Sequence, residues 1–215
     1  IVKQAAYSTK NENEFKDILA KIKTSDEYST ASSILLHAKT NMLTRSEAED
    51  ILEKMHAALP DANIVGLSAV ELRGKNGKEK NIQIDVCFFE NAKVEVREYD
   101  ANEDLRALGK QLCSELSSRS DIKGIEVYHG GSSVEIEDFL EEASKGHEDI
   151  PFFGSEMQTT DFERYDDKSC RNFFREMAAG IGDLFIMNQT VQEIGLVLVL
   201  YSGEDLHVRA DAVFG

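Results

Sequence analysis

The sequence predicts an α/β fold, a mixed sheet flanked by helices and built from two similar βαβ units plus antiparallel hairpins. Two observations carry this. An apolar strand closing on glycine and a small polar residue occurs as "ANIVGLSAV" at 62–70 and again as "DIPFFGSEM" at 149–157. Each follows an amphipathic helix and an earlier strand, the alternation expected of βα units. Between them, "IQIDVCFFE" alternates Ile82, Ile84, Val86 and Phe88 on one side, the pattern of an antiparallel strand.

The elements follow in chain order. "NENEFKDILAKIK" places Phe15, Ile18, Leu19 and Ile22 on one helical face, and residues 1–30 form an N-terminal helical segment. Polar "TSDEYSTASS" reads as a loop, and "ILLHAKT" as a short strand. "TRSEAEDILEKMHAALP" opens with Thr44 and Glu47 at capping-box spacing, lines Ala48, Ile51, Leu52, Met55 and Leu59 along one stripe, and stops at Pro60. Asn76-Gly77 is a turn signal between strand-like runs, and "KVEVREYD" continues the meander. "NEDLRALGKQLCSELSS" is a helix with Leu105, Leu108, Leu112 and Leu116 inward. "IEVYHGG" is a strand, and "SSVEIEDFLEEA" a helix with Ser132 and Glu135 at capping-box spacing and Ile136, Phe139, Leu140 and Ala143 on its inner face. "VLYSGEDLHV" reads as a hairpin with Ser202-Gly203-Glu204-Asp205 at its tip.

Set side by side, the two units run strand–His37, capped helix, strand–Gly66-Leu67-Ser68, and strand–His129-Gly130, capped helix, strand–Gly154-Ser155. His and Gly are 29 residues apart in the first and 25 in the second. The same order met twice points to internal duplication. No Pro/Gly-rich linker divides the chain, which has only two prolines.

Composition narrows the function classes. The 215 residues carry a formal net charge of -16 and a sequence pI near 4.7, with 41% hydrophobic and 30% charged residues. Nucleic acid and anionic membrane surfaces call for clustered Lys and Arg, which are absent. The three cysteines, Cys87, Cys113 and Cys170, are widely spaced and form no CxxC, so neither a disulfide framework nor a zinc site is indicated. Reduced core packing and a cytoplasmic setting follow. No apolar run approaches a membrane span and no signal peptide is visible. Ile at position 1 and the strand-like ending "LHVRADAVFG" read as a piece of a longer chain.

Ligands of open α/β sheets bind at the carboxyl ends of the strands, so the candidate pocket is His37, Gly66, Ser68, His129, Gly130, Gly131, Gly154 and Ser155. Gly130-Gly131 either lets backbone N–H groups approach an anion or merely permits a tight strand-to-helix turn. His37 and His129, at matching strand ends, either contact a ligand or bond a neighbouring loop. GxGxxG and GxxxxGK[ST] are absent, no two His have metal-ligand spacing, and no cofactor or metal is expected. "YHGG" is similar to some esterase oxyanion loops, but no GxSxG elbow supplies a nucleophile.

The helix-"LP"-strand phrase "HAALPDANIVGLSAVEL", the strand "IPFFGSEMQT" and the closing "GLVLVLYSGEDLHVRADAVFG" together resemble the N-terminal part of a FIST sensory domain over residues 31–215. Glu71 and Glu156 stand where that family tends to have small residues. The resemblance implies a bacterial signal-transduction protein whose domain binds a small molecule, with an amino acid as the proposed ligand. It implies no catalysis in this chain. It also implies an output domain further along, such as a GGDEF diguanylate cyclase, a histidine kinase or a chemoreceptor signalling region. Two rival readings stand beside it. One is a serine hydrolase using Ser68 or Ser155 near His129, and the other is an interaction module docking through the acidic insert 161–180.

Overall fold

The computed structural model describes residues 1–40, 45–68, 82–100, 103–130, 136–157, 185–186, 190–192 and 195–209. The α/β class and the mixed pairing hold, but the strands divide between two sheets. The first has the order β1-β4-β2-β3-β8-β9, from β1 (Val2–Thr9), β4 (Ile82–Phe89), β2 (Ser33–Thr40), β3 (Asn63–Ser68), β8 (Phe185–Ile186) and β9 (Val191–Gln192). The second has the order β5-β10-β6-β7, from β5 (Lys93–Asp100), β10 (Gly195–Ser202), β6 (Ile122–Gly130) and β7 (Phe152–Met157). Helices α1 (Glu12–Lys23), α2 (Asp26–Thr30) and α3 (Arg45–Ala58) accompany the first sheet. Helices α4 (Leu105–Ser118) and α5 (Ile136–Ala143) accompany the second.

One pairing pattern occurs twice. β1 is antiparallel to β4, β4 to β2, and β2 is parallel to β3. Likewise β5 is antiparallel to β10, β10 to β6, and β6 is parallel to β7. Both parallel pairs are joined through a helix, α3 in one sheet and α5 in the other, because parallel neighbours need a long crossover.

Side-chain alternation sorts the core into three layers. Leu36, Ala38, Ile84 and Val86 face outward from the first sheet and pack on Phe15, Leu19, Ile51 and Met55 of the helices. Ile125, Val127, Leu198 and Leu200 face outward from the second onto Leu112, Leu116 and Phe139. Between the sheets Leu35, Val65, Cys87 and Phe89 meet Tyr128, Val197, Val199 and Tyr201. The result is helix, sheet, sheet, helix. It explains why "GLVLVLYS" is apolar without alternation: every residue of β10 is buried, odd positions between the sheets and even positions under the helices.

The helical stripes lie where the periodicity predicts, and Asn11 and Asp104 cap α1 and α4 through Glu14 N–H and Ala107 N–H. The two predicted capping boxes involve Thr44, Ser132 and Glu135, which lie outside the described residues. Several local readings change. Residues 1–30 include strand β1, an edge strand with one face largely exposed. The polar loop contains α2, capped by Ser25. Asn76-Gly77 lies outside the described residues, and the runs it separates are not paired, because β2 sits between β3 and β4. The meander breaks between β4 and β5, where the chain crosses from one sheet to the other. Among the described residues no hairpin follows Ser202: β10 already has a partner on each side, so residues 206–209 run unpaired while Leu206 and Val208 pack against the inter-sheet core.

Candidate functional site

The two sheets bring together a polar cluster that neither half contains alone. β2 turns Leu35 and His37 toward the second sheet, and β6 turns Glu126 and Tyr128 toward the first. His37 Nε2 stands 3.0 Å from Glu126 Oε2. The hydroxyl of Tyr201, on β10, donates to the same oxygen at 2.7 Å, and the Tyr128 hydroxyl donates to Oε1. Glu126 is only 8% exposed, so its charge is tenable because three donors surround it.

The electrostatics follow from that packing. Burial opposes a charge on His37, but hydrogen bonds to Cys87 and Glu126 and the Glu126 carboxylate outweigh it and raise the imidazole to about 9. Burial also opposes ionisation of Glu126, yet the His37 contact and the two tyrosine hydroxyls hold its carboxyl below the ordinary range. Burial and the neighbouring carboxylate push both tyrosine hydroxyls up, which keeps them protonated donors. The Tyr128 ring meets His37 edge-on at 6.3 Å, and Tyr201 lies between Phe89 and Phe153 at 5.9 and 6.0 Å. These rings fix the hydroxyls that fix Glu126.

A cavity of about 640 Å³ opens beside this cluster. Its walls come from the inner faces of β1 and β4, from Phe153 and Tyr201 of the second sheet, and from the unpaired segment 206–209. His37 and Glu126 line it, as do Cys87, Asp85 and Arg209. Neither Asp85 nor Arg209 has an ion-pair partner among the described residues, and both are exposed. His37 holds Glu126 through Nε2, and the Cys87 sulfur accepts from Gln4 Nε2 at 3.3 Å. Among the described residues no three metal-ligating side chains converge on one ion.

The described residues of the predicted site lie at several places in the fold. His37 belongs to the inter-sheet cavity. His129 and Gly154 line a second, smaller cavity of about 210 Å³ on the helix side of the second sheet, with Ile136 and Leu140 of α5. Gly66 is buried within β3, opposite Ala38, and Ser68 ends that strand opposite Thr40. Gly130 and Ser155 are residues of β6 and β7. Gly131 lies outside the described residues, as does the insert 161–180.

The matching of His37 with His129 is corrected by register. Ala38 pairs with Gly66, and Val127 pairs with Gly154. His37 therefore precedes its glycine-paired position by one residue, whereas His129 follows its own by two. A step of three reverses the side chain's face, so His37 looks between the sheets and His129 toward α5. The residue that corresponds to His37 is Glu126.

Sequence reasoning missed Glu126, Tyr128, Tyr201, Cys87 and Gln4 as site residues. Strand alternation in "IEVYHGG" does separate Glu126 and Tyr128 from Ile125 and Val127. On a strand with one solvated face that pattern means an exposed glutamate. Only the second sheet covering that face makes the carboxylate a buried one.

No helix among the described residues is long and apolar enough to cross a membrane. No curated protein matches the chain. A family model, that of the FIST N domain, matches residues 41–214, most of the chain, with β1 and β2 preceding the matched span. The chain therefore belongs to the FIST N domain family, the sensory domains of signal-transduction proteins.

Proposed function

We propose that this domain senses a small zwitterionic molecule of the amino-acid class in the cavity between its sheets and relays occupancy to an output domain of the same protein, in a bacterial cytoplasm. The observation that carries the reading is the inter-sheet cavity, about 640 Å³, within the size range of small-molecule sites. Its lining pairs apolar walls with separated opposite charges. Asp85 offers a carboxylate for an ammonium group, and Arg209 and His37 offer cations for a carboxylate.

Because both sheets and segment 206–209 contribute walls, a ligand there contacts all three at once. A ligand shifts a conformational equilibrium only by its differential affinity for the two arrangements. Contacts shared across the sheet interface supply that difference.

Thermal unfolding against a panel of amino acids and small organic acids tests this. A ligand at about 100 times its dissociation constant adds about 2.7 kcal/mol of stability. The expected result is a selective shift that Asp85→Asn and Arg209→Gln both abolish. A flat panel, or a shift indifferent to both variants, overturns the inter-sheet assignment. A second ligand position, beside His129 and Gly154 on the helix side of the second sheet, is favoured by the 210 Å³ cavity. It is indicated instead if His129→Ala alone removes the shift.

A further inference from the structure

The inner face of β4 grades from charge to ring. Asp85, Cys87 and Phe89 share that face, and all three line the inter-sheet cavity. Four residues of extended strand separate the Cα atoms of Asp85 and Phe89 by about 13 Å. At the Asp85 end lies His37, its partner in the β2–β4 register. At the Phe89 end three rings stand in series. Phe89 meets Tyr201 at 5.9 Å, and Tyr201 stacks on Phe153 at 6.0 Å with an interplanar angle of 23°. Tyr201 is pinned by its hydroxyl, which donates to Glu126 at 2.7 Å, so the series has a fixed centre. Phe89 and Tyr201 are buried, whereas Phe153, on edge strand β7, is half-buried and lines the cavity. An aromatic ring left partly open beside two others is a seat for a further ring, which gains from offset or edge-on contact as well as from leaving water.

On the reading that the inter-sheet cavity is the sensory site, we propose that its ligand is an amino acid with an aromatic side chain, and that Phe153 is the residue that selects the ring. The span along β4 separates this class from other amino acids. With the ammonium group at Asp85, an indole or phenyl side chain reaches the ring series, because the carboxylate's own length and a van der Waals contact cover the remainder. The side chain of alanine or serine ends well short of it and leaves Phe153 in water. An acidic side chain would bring a second negative charge toward Glu126, whose one cationic partner, His37, is already engaged. Burying a ring against Phe153 removes apolar surface of both from water, which sets an expected preference of about tenfold or more over alanine.

The chain has no tryptophan, so L-tryptophan reports its own binding by fluorescence, excited at the red edge of its absorption where the protein's tyrosines are silent. The expected result is a saturable blue shift, reversed by L-phenylalanine and L-tyrosine and not by alanine, serine or glutamate at the same concentration. Phe153→Ala should weaken tryptophan binding by about tenfold or more, and Phe153→Leu, which keeps an apolar side chain of similar bulk, should weaken it several-fold in a folded protein. Displacement by alanine or serine as effective as that by phenylalanine would overturn selection of a ring while leaving amino-acid sensing intact. Tryptophan binding unmoved by both variants would overturn the seat at Phe153. Indole-3-propionate and tryptamine, which each lack one charged group of the amino acid, separate the two readings. If both bind as tightly as tryptophan, the ring seat stands and amino-acid sensing falls. No shift with any of the three indoles overturns both.

Discussion

His37 and Glu126, 3.0 Å apart, occupy the same position in their respective sheets. Each immediately precedes the residue paired with the glycine of the neighbouring parallel strand, Ala38 with Gly66 and Val127 with Gly154. The repeated topology therefore brings two corresponding positions face to face. One repeat supplies the cation and the other the anion, so the contact that joins the sheets is asymmetric although its frame is not. An asymmetric contact at a symmetric place lets a ligand or a proton act on the relation between the halves.

That contact makes stability depend on pH in a stated direction. His37 is raised from 6.5 to about 9, so its contribution is fully present below 6.5 and is lost as pH rises through about 9. A shift of that size corresponds to on the order of 3 kcal/mol. Glu126 is lowered, so its contribution is present above the ordinary 4.5 and is lost as pH falls below that value. Urea midpoints should therefore be highest between about 4.5 and 6.5 and should decline from there to about 9. In His37→Asn the alkaline decline should disappear. A wild-type midpoint that is level from pH 6.5 to 9 would show that the imidazole is not held charged.

Removing the carboxylate should cost more than the hydrogen bonds counted singly. Glu126→Ala leaves a buried imidazole charge and two buried hydroxyls without their acceptor, and breaking such a pair typically costs about 3–5 kcal/mol. Tyr201→Phe alone removes one bond to a charged group, about 1.5–3 kcal/mol. In the Glu126→Ala background the same tyrosine change should be close to neutral, because the hydroxyl has already lost its partner. Chemical denaturation of the four proteins gives the cycle, and strict additivity would contradict a shared cluster.

Much of the fold was legible because burial writes itself as periodicity. Leu52, Met55, Leu112, Leu116 and Phe139 lie inward as their spacing predicts. What the sequence could not convey was the partition into two sheets. A run such as "IQIDVCFFE" looks the same whether its second face meets water or another sheet, so Cys87 reads as generic core. Register was illegible for a related reason: His37 and His129 resemble each other at strand ends, and only the pairing partners show that they face opposite ways. The cluster forms from residues up to 89 positions apart, Gln4 and Cys87 being another 83 apart, and single-sequence periodicity has no reach over such distances.

Gly154 should be irreplaceable for backbone reasons. Its φ is +144°, and a Cβ there would lie 1.9 Å from the carbonyl oxygen of Val127, the residue it pairs with. Gly154→Ala must break the β6–β7 pairing or force the strand aside, at about 3 kcal/mol or more. A variant whose melting temperature stays within two or three degrees of the parent would refute that geometry. If it folds at reduced stability, the 210 Å³ cavity that Gly154 lines should be the region most altered.

Gly124 bears on the cavity wall. A Cβ built there would meet Val208 at 2.7 Å from Cγ1 and 2.9 Å from Cβ, both in the unpaired segment 206–209. β6 is fixed by β10 on one side and β7 on the other, whereas the segment has no strand partner, so the segment must yield. Gly124→Ala should therefore cost only about 1 kcal/mol in global stability, at the low end for overpacking. It should raise amide hydrogen exchange across 206–209 while leaving β6 and β10 protected. Shortening the obstructing side chain, Val208→Ala in the same molecule, should restore much of the lost protection. Exchange in 206–209 that is unchanged by Gly124→Ala would mean that the segment does not rest on β6, and Arg209 would then lose its place in the wall of the inter-sheet cavity.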